Sequence, residues 1–515
     1  MYLFEEYNKE DKLNLQNNNC LPLPNLEINP QKIELKSKSL EGHFKKAAGV
    51  SDNVICFELG RNVLLRGGNA VDAAISVSFC IGALNFPSAG LGGGFLMTFF
   101  RRFDGKCITI DALETIPPLG NNDTINPIEG YKSVSIPGVL HGLWTAYKRF
   151  GSGKITWNNL IMPTVHLLNE GFPASQALEK LSKKYSDKFN NETNKEIRNL
   201  FLNPTNGHHF REGQIIRNPL LAETYKKLAL TNDPINLFYG NNGAIAKQIV
   251  EEFNQNGGLI THKDLQSYRS VIDEPYLNNF SDQKLVFCGP KTSSEFIENI
   301  IQKLENNSSE FGIPSKEEIQ VDKEIGSSHI TIVDSDGNTI SMTHSINSPF
   351  GSLRRSPFLG ILWNNQLINL NNSTDINLNN NQIGINNRLI SSLSPISVYD
   401  RESRKIKLAI GASGGNELEA ISSLSQVLTQ IISFNKTLKE AIDMPRLFKN
   451  EFGIFYETGF PMKIIENLQN KGHKIKEMDY SSSLSLNGIL REETDNILSA
   501  VNDYRLEDNN YPAGY

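Results

Sequence analysis

The sequence predicts an α+β protein in which sheets pack face to face with helices outside them, and three observations lead there. Residues 327–347 and 395–411 alternate apolar and polar positions, as strands with one face in a core do. Between about 45 and 305, helical and short strand patterns interleave without a long linker. That argues for one layered unit rather than the roughly three domains that 515 residues would allow. Finally, the strand pattern Lys405–Ile410 leads through a glycine-rich turn into an amphipathic helix around Leu418–Phe434.

Taken in order, residues 1–40 are polar and irregular and read as a loose arm. Residues 41–326 and 327–515 are expected to be two parts of one compact unit. Ala73 to Phe100 carries no charge over 28 residues, but Pro87 and the cluster Gly90, Gly92, Gly93, Gly94 break it into a buried helix, a loop and a strand. No stretch then reaches the roughly 20 apolar residues of a membrane span. Helical patterning ends near Ile297–Leu304, and residues 305–326 form a charged, polar connector. Gly326-Ser327-Ser328-His329-Ile330-Thr331-Ile332-Val333 is a strand, Asp336-Gly337 a two-residue hairpin signal, and Thr339–Asn347 the returning strand. The Asn-rich stretch 365–387 reads as a surface loop.

Several function classes drop out. Net charge is −6, the pI is near 5.9, and no basic stripe appears, so nucleic acid is not an expected partner. His208 and His209 are adjacent and no Cys/His set has ligand spacing, so neither metal nor cofactor is expected. Gly90 to Gly94 lacks the Lys-Ser/Thr of a phosphate loop. Gly411-Ala412-Ser413-Gly414-Gly415 fits a serine-hydrolase elbow, with Asp443 and His473 downstream in the right order. Short patterns of that kind are common, and this reading ranks below the next.

Ser327 is a hydroxyl residue at the head of a strand in mid-chain, which is what a self-cleaving N-terminal nucleophile requires. The hydroxyl attacks the preceding carbonyl, the chain breaks, and the freed α-amine becomes the base for that hydroxyl. The competing reading is a plain strand-start serine in an unprocessed chain.

Ser327 also belongs to an ordered set of motifs. Gly67–Ile75 and Ser88–Phe95 come first, then Pro137-Gly138-Val139, Gly171-Phe172-Pro173, Phe238-Tyr239, and Gly257-Gly258 with Leu265 and Tyr268. Gly326–Asn338, Phe350-Gly351-Ser352, Arg355-Ser356-Pro357, Gly411–Gly415, Pro445-Arg446-Leu447 and Pro512–Tyr515 follow. In these the chain resembles the γ-glutamyltranspeptidases (glutathione hydrolases) from about Lys45 to its C-terminus. The resemblance implies a four-layer αββα sandwich of the N-terminal-nucleophile hydrolase type. It also implies glutathione or another γ-glutamyl compound as substrate, and a large-chain/small-chain heterodimer once cut between Gly326 and Ser327.

Carried over by position, Ser327 stands at the nucleophile, where the family has threonine, and lacks the methyl that restricts χ1. Ser345 matches a threonine that contacts the nucleophile, and Gly414 and Gly415 match the pair whose N–H groups face the oxyanion. Asn347, Ser391 and Ser392 match substrate-binding positions. Leu113 replaces the arginine that grips the α-carboxylate, Gln366 a glutamate and Asn369 an aspartate on the ammonium side. Connector 305–326 replaces a longer helical stretch.

Cys56 and Cys80 match a disulfide of animal members, and an oxidised pair implies secretion. Cys20, Cys107 and Cys288 have no expected partners and read as small buried side chains. Sequons at Asn122, Asn191, Asn279, Asn306, Asn307, Asn371, Asn372 and Asn435 fit secretion, although Met1–Asn8 shows no signal-peptide pattern. Two functions stay open. One is a secreted, degenerate relative impaired towards glutathione, akin to venom-type copies of the family. The other is an active, self-cleaved hydrolase or transferase with altered specificity.

Overall fold

A computed structural model describes residues 39–118, 129–189, 191–279, 284–291, 326–370, 388, 391–450, 453–478, 484–492, 496–506 and 510–515. The expected connector, almost all of the expected arm, and most of the Asn-rich loop lie outside them, as do Asn122, Asn306, Asn307, Asn371 and Asn372.

Two seven-stranded sheets organise the described residues. One runs, in spatial order, Ala513–Gly514, Ala48–Ser51, Gly326–Val333, Thr339–Asn347, Gly94–Arg101, Lys106–Asp111, Val271–Asp273. The other runs Leu40–Phe44, Leu498–Asn502, Ser485–Arg491, Ile406–Ser413, Ile396–Asp400, Leu285–Gly289, Tyr276–Asn279. Their central strands face each other, and helices lie on both outer sides. Val54–Leu65 and Ala70–Leu84 back the first sheet, and Glu417–Ile432 and Leu438–Asp443 back the second. This is the four-layer αββα arrangement.

The uncharged run divides as expected. Asn69 caps helix Ala70–Leu84 in a reciprocal box with Asp72, and every residue of that helix is buried. Its continuation is a loop and then strand Gly94–Arg101. Among the described residues no helix is long and apolar enough to cross a membrane.

The hairpin after Ser327 differs in detail from its expected two-residue turn. Val333 is the last paired residue, opposite Thr339, and the Asp334 N–H donates to the Asn338 carbonyl at 3.0 Å. The turn therefore takes three residues, Ser335 to Gly337, with Gly337 at φ +82°. Asp334 dictates this: its Oδ1 accepts the N–H groups of Asp336 (3.0 Å) and Asn338 (2.9 Å), while its Oδ2 accepts that of Ala70 at 3.0 Å.

Cys56 and Cys80 are bonded, joining the first two helices. Cys107 and Cys288 correct the sequence reading, because they form a second disulfide across 181 residues. Cys107 lies on strand Lys106–Asp111 and Cys288 on Leu285–Gly289, so the bond joins the two sheets. Facing positions on packed sheets bring two thiols together at any sequence separation, which is why spacing carried no signal. A loop of that size is worth about 5 kcal/mol in the chain-entropy account.

Four of five cysteines are thus paired, leaving Cys20, which lies outside the described residues. Thiol titration of the denatured, unreduced protein should find 5 − 4 = 1 free thiol per chain. A count of three, with label mapped to Cys107 and Cys288, would remove the Cys107–Cys288 bond.

Candidate active site

Strand Gly326–Val333 lies between Ala48–Ser51 and Thr339–Asn347. Its neighbour on one side stops early, with Ser51 opposite Ile330. The Asp52 carboxylate takes over there, accepting the His329 N–H at 3.0 Å and reaching across to Asn487 Nδ2 at 2.8 Å in the other sheet. Ser327 sits beyond that point, opposite Ser345 and 8% exposed.

From the opposite sheet, the Gly414 N–H donates to the Ser327 Oγ at 2.9 Å. Gly414 and Gly415 form the bend between strand Ile406–Ser413 and the helix capped by Asn416, with φ +71° and +65°. Two successive left-handed residues favour glycine, and a Cβ on Gly415 would stand 2.8 Å from the Leu484 Cβ. The Ser345 hydroxyl donates to the Gly326 carbonyl oxygen at 2.9 Å and accepts the Asn347 N–H at 2.8 Å. The carbonyl of the Gly326–Ser327 peptide thus carries a side-chain donor while the following hydroxyl carries a backbone one.

Beneath lies a neutral polar floor. His329 is fully buried, with Nδ1 2.7 Å from Thr343 Oγ1 and Nε2 2.9 Å from Thr331 Oγ1. Burial, with the neighbouring His344 adding to it, pulls its pKa down to about 3. It serves as packing and hydrogen bonding rather than as a base.

The remaining positions fall into two groups. Leu113 is buried in an apolar group with Leu96 and Leu393. Ser391 and Ser392 are half-buried just before Leu393, whose N–H bonds to Ser391 Oγ at 3.2 Å. The second group is an amide chain. Asn369 Nδ2 donates to Asn347 Oδ1 (3.3 Å) and to Gln366 Oε1 (3.0 Å), and Gln366 Nε2 approaches Glu114 Oε2 at 3.5 Å.

Two features escaped the sequence reading. Glu114 is buried, and its carboxyl lies against the Gly94 backbone, where an added Cβ would come within 2.6 Å of Oε2. Arg388 is also buried, with Nε 3.1 Å from Asp111 Oδ1 and its guanidinium 5.5 Å from the Tyr268 ring centroid. Arg388 stands three residues before Ser391, a spacing that could have marked it. Nothing in the sequence marks Glu114 as buried.

The elbow reading fails on geometry. Ser413 Oγ is buried and bonded to Ser485 Oγ at 2.8 Å, and Asp443 pairs with Lys439 at 2.8 Å. Of the sequons among the described residues, Asn191, Asn279 and Asn435 are all exposed.

A sandwich of two facing sheets between helices, with a strand-head hydroxyl held by a glycine N–H, defines an N-terminal-nucleophile hydrolase fold. The fold is shared with cephalosporin acylase from Bacillus halodurans, at TM-score 0.78 and 19% identity over 97% of this chain and 99% of that one. The chain belongs to the γ-glutamyltranspeptidase family, whose profile matches residues 56–321 and 292–513. Scoloptoxin SSD14 of Scolopendra dehaani is 29% identical over 92% of this chain and 93% of its own. Glutathione hydrolase 2 of Arabidopsis thaliana is 28% identical over 78% and 80%, and the mouse glutathione hydrolase 5 proenzyme 27% identical over 84% and 86%.

Burial pushes the Glu114 carboxyl up to about 8. Its own N–H opposes this; among the facing charges Asp111 adds to the rise, while Arg388, like the Gln366 amide, opposes it. The ordinary value is 4.5, so the folded protein binds a proton there that the unfolded chain releases. The stabilisation is complete below about 4.5 and is lost as pH climbs to about 8. Relative to Glu114→Gln, the wild-type melting temperature should therefore fall steadily between those pH values. Parallel curves for the two proteins would contradict the burial.

Proposed function

We propose that this protein is a γ-glutamyltranspeptidase relative whose glutamyl-binding site is degenerate, leaving it impaired or inactive towards glutathione. The observation that carries this is Leu113, packed with Leu96 and Leu393 where the family pattern places a guanidinium. The Arg388 guanidinium, on a residue bridged to Thr115, is committed to Asp111. Gln366 and Asn369 spend their amides on each other and on Asn347 and Glu114, and bring no fixed negative charge to an ammonium. Losing one buried charge partner costs about 2–5 kcal/mol in binding. Hydrolysis of γ-glutamyl-p-nitroanilide and of glutathione should accordingly run at least about 30-fold below that of a family enzyme assayed beside it. A rate within a few-fold would overturn the proposal.

A second reading, an active self-processed hydrolase or transferase, is favoured by the two hydrogen bonds at the Gly326–Ser327 peptide. In it the Ser327 Oγ attacks the Gly326 carbonyl carbon, and the peptide nitrogen leaves with a proton as the new α-amine. Water then hydrolyses the ester, giving chains ending at Gly326 and beginning at Ser327. Residues 41–326 and 327–515 are the large and small parts in this scheme. Denaturing electrophoresis with N-terminal sequencing should show a fragment starting at Ser327 that Ser327→Ala lacks. One intact chain after prolonged incubation would end this reading.

Export belongs to the same proposal. Two disulfides and three exposed sequons suit an oxidising secretory route, as does the likeness to a protein named a scoloptoxin.

A further inference from the structure

The amide network near Ser327 holds one ionisable group. The chain Asn347–Asn369–Gln366 consists of amides and ends on Glu114, the single acid of that network. Glu114 Oε1 is buried with no hydrogen-bond partner among the described residues. Next to it in the chain, Leu113 packs with Leu96 and Leu393 in an apolar group that offers a carboxylate no cation.

Position adds a length. Gly94 pairs with Ser345, and Ser345 with Ser327, so Ser327 and Gly94 are two strand spacings apart, about 10 Å. The Glu114 carboxyl rests on Gly94. A four-carbon acyl chain with a terminal amine, added to one contact at each end, spans about 11 Å.

We propose that Glu114 anchors a primary ammonium group, and that the site accepts an acyl amide bearing an amine on the fourth carbon of the acyl chain, counting the carbonyl as the first, but no α-carboxylate. The preferred acyl group is of the 4-aminobutyryl kind. This rests on the degenerate-site reading above and names what replaces the glutamyl group. With the site empty, the buried acid is protonated near neutral pH, since burial raises its pKa. An incoming ammonium pairs with the carboxylate and displaces that proton to solvent.

Four amides on one carbon skeleton separate the possibilities: glutamine (both charges), 4-aminobutanamide (ammonium only), 5-amino-5-oxopentanoate (carboxylate only) and butanamide (neither). Calorimetric titration of the wild-type protein needs no turnover. The expected result is 4-aminobutanamide binding about tenfold or more tighter than each of the others, as a charge-assisted contact gives. At pH 7 its binding heat should vary with the ionisation enthalpy of the buffer, because a proton is released. In Glu114→Gln its advantage over butanamide should collapse to within about threefold. Equal binding of 4-aminobutanamide and butanamide to wild type would overturn the inference, and so would glutamine binding tightest. The γ-glutamyl-p-nitroanilide assay on the same preparation separates the two failures. A family-like rate sinks the degenerate-site reading. A low rate with equal binding of the two amides leaves that reading standing and sinks only the role of Glu114.

Discussion

The His329 imidazole, on the strand that carries Ser327, lies against the backbone of Gly411 in the opposite sheet, where an added Cβ would fall 2.1 Å from the ring. That contact sets how closely the sheets approach, and the approach sets the site. Gly414, three residues beyond Gly411, reaches Ser327 only because no side chain intervenes at that contact. Other ties hold the same spacing. Ser341 Oγ donates to the Ile410 carbonyl at 3.1 Å, Thr98 Oγ1 to that of Pro395 at 2.7 Å, and Asp52 bridges to Asn487. Each bond is worth only about 1 kcal/mol net, but each satisfies a buried polar atom that would otherwise weigh against the packing.

Buried charge is distributed unevenly. Arg446, from the Pro445-Arg446-Leu447 motif, pairs with Asp503 at 2.5 Å. Arg505 spans Asp503 (3.0 Å) and Glu457 (2.6 Å). Desolvation would raise the Asp503 carboxyl, but the two guanidiniums more than offset it and hold it below the usual range. Removing either partner would leave an uncompensated buried ion. These charges tie helix Leu438–Asp443 and the Tyr504 turn to the second sheet: both guanidiniums donate to the Ile442 carbonyl, and Asp503 accepts the Leu486 N–H.

Much of this was legible in the sequence. The uncharged run had to break at its glycines, because a helix ending in Asn85 and a strand starting at Gly94 are separated by residues suited only to a loop. The Ser327 hairpin followed from period-two alternation, though not its turn width, which depends on the Asp334 side chain reaching three N–H groups. The Gly414-Gly415 bend was readable because successive left-handed residues demand glycine. The Cys107–Cys288 bond, the Asp111–Arg388 pair and the burial of Glu114 were not. The first crosses between the sheets, and the other two arise where Arg388 and Gln366 come back beside residues 111–115; local pattern holds no record of such meetings.

Strand order has one more consequence. In the first sheet, segments from before residue 326 alternate with those after it: Ala513–Gly514, then Ala48–Ser51, then Gly326–Val333 and Thr339–Asn347, then Gly94–Arg101. The second sheet is interleaved too, with Leu40–Phe44 at one edge and Leu285–Gly289 and Tyr276–Asn279 at the other. Both disulfides join residues on the N-terminal side of Gly326. A molecule cut there would consist of two polypeptides with no covalent link, yet neither would own either of the seven-stranded sheets. Their interface would be the protein interior itself, so separation and denaturation would be one event, and the dissociation constant of the pair would be another name for its folding equilibrium.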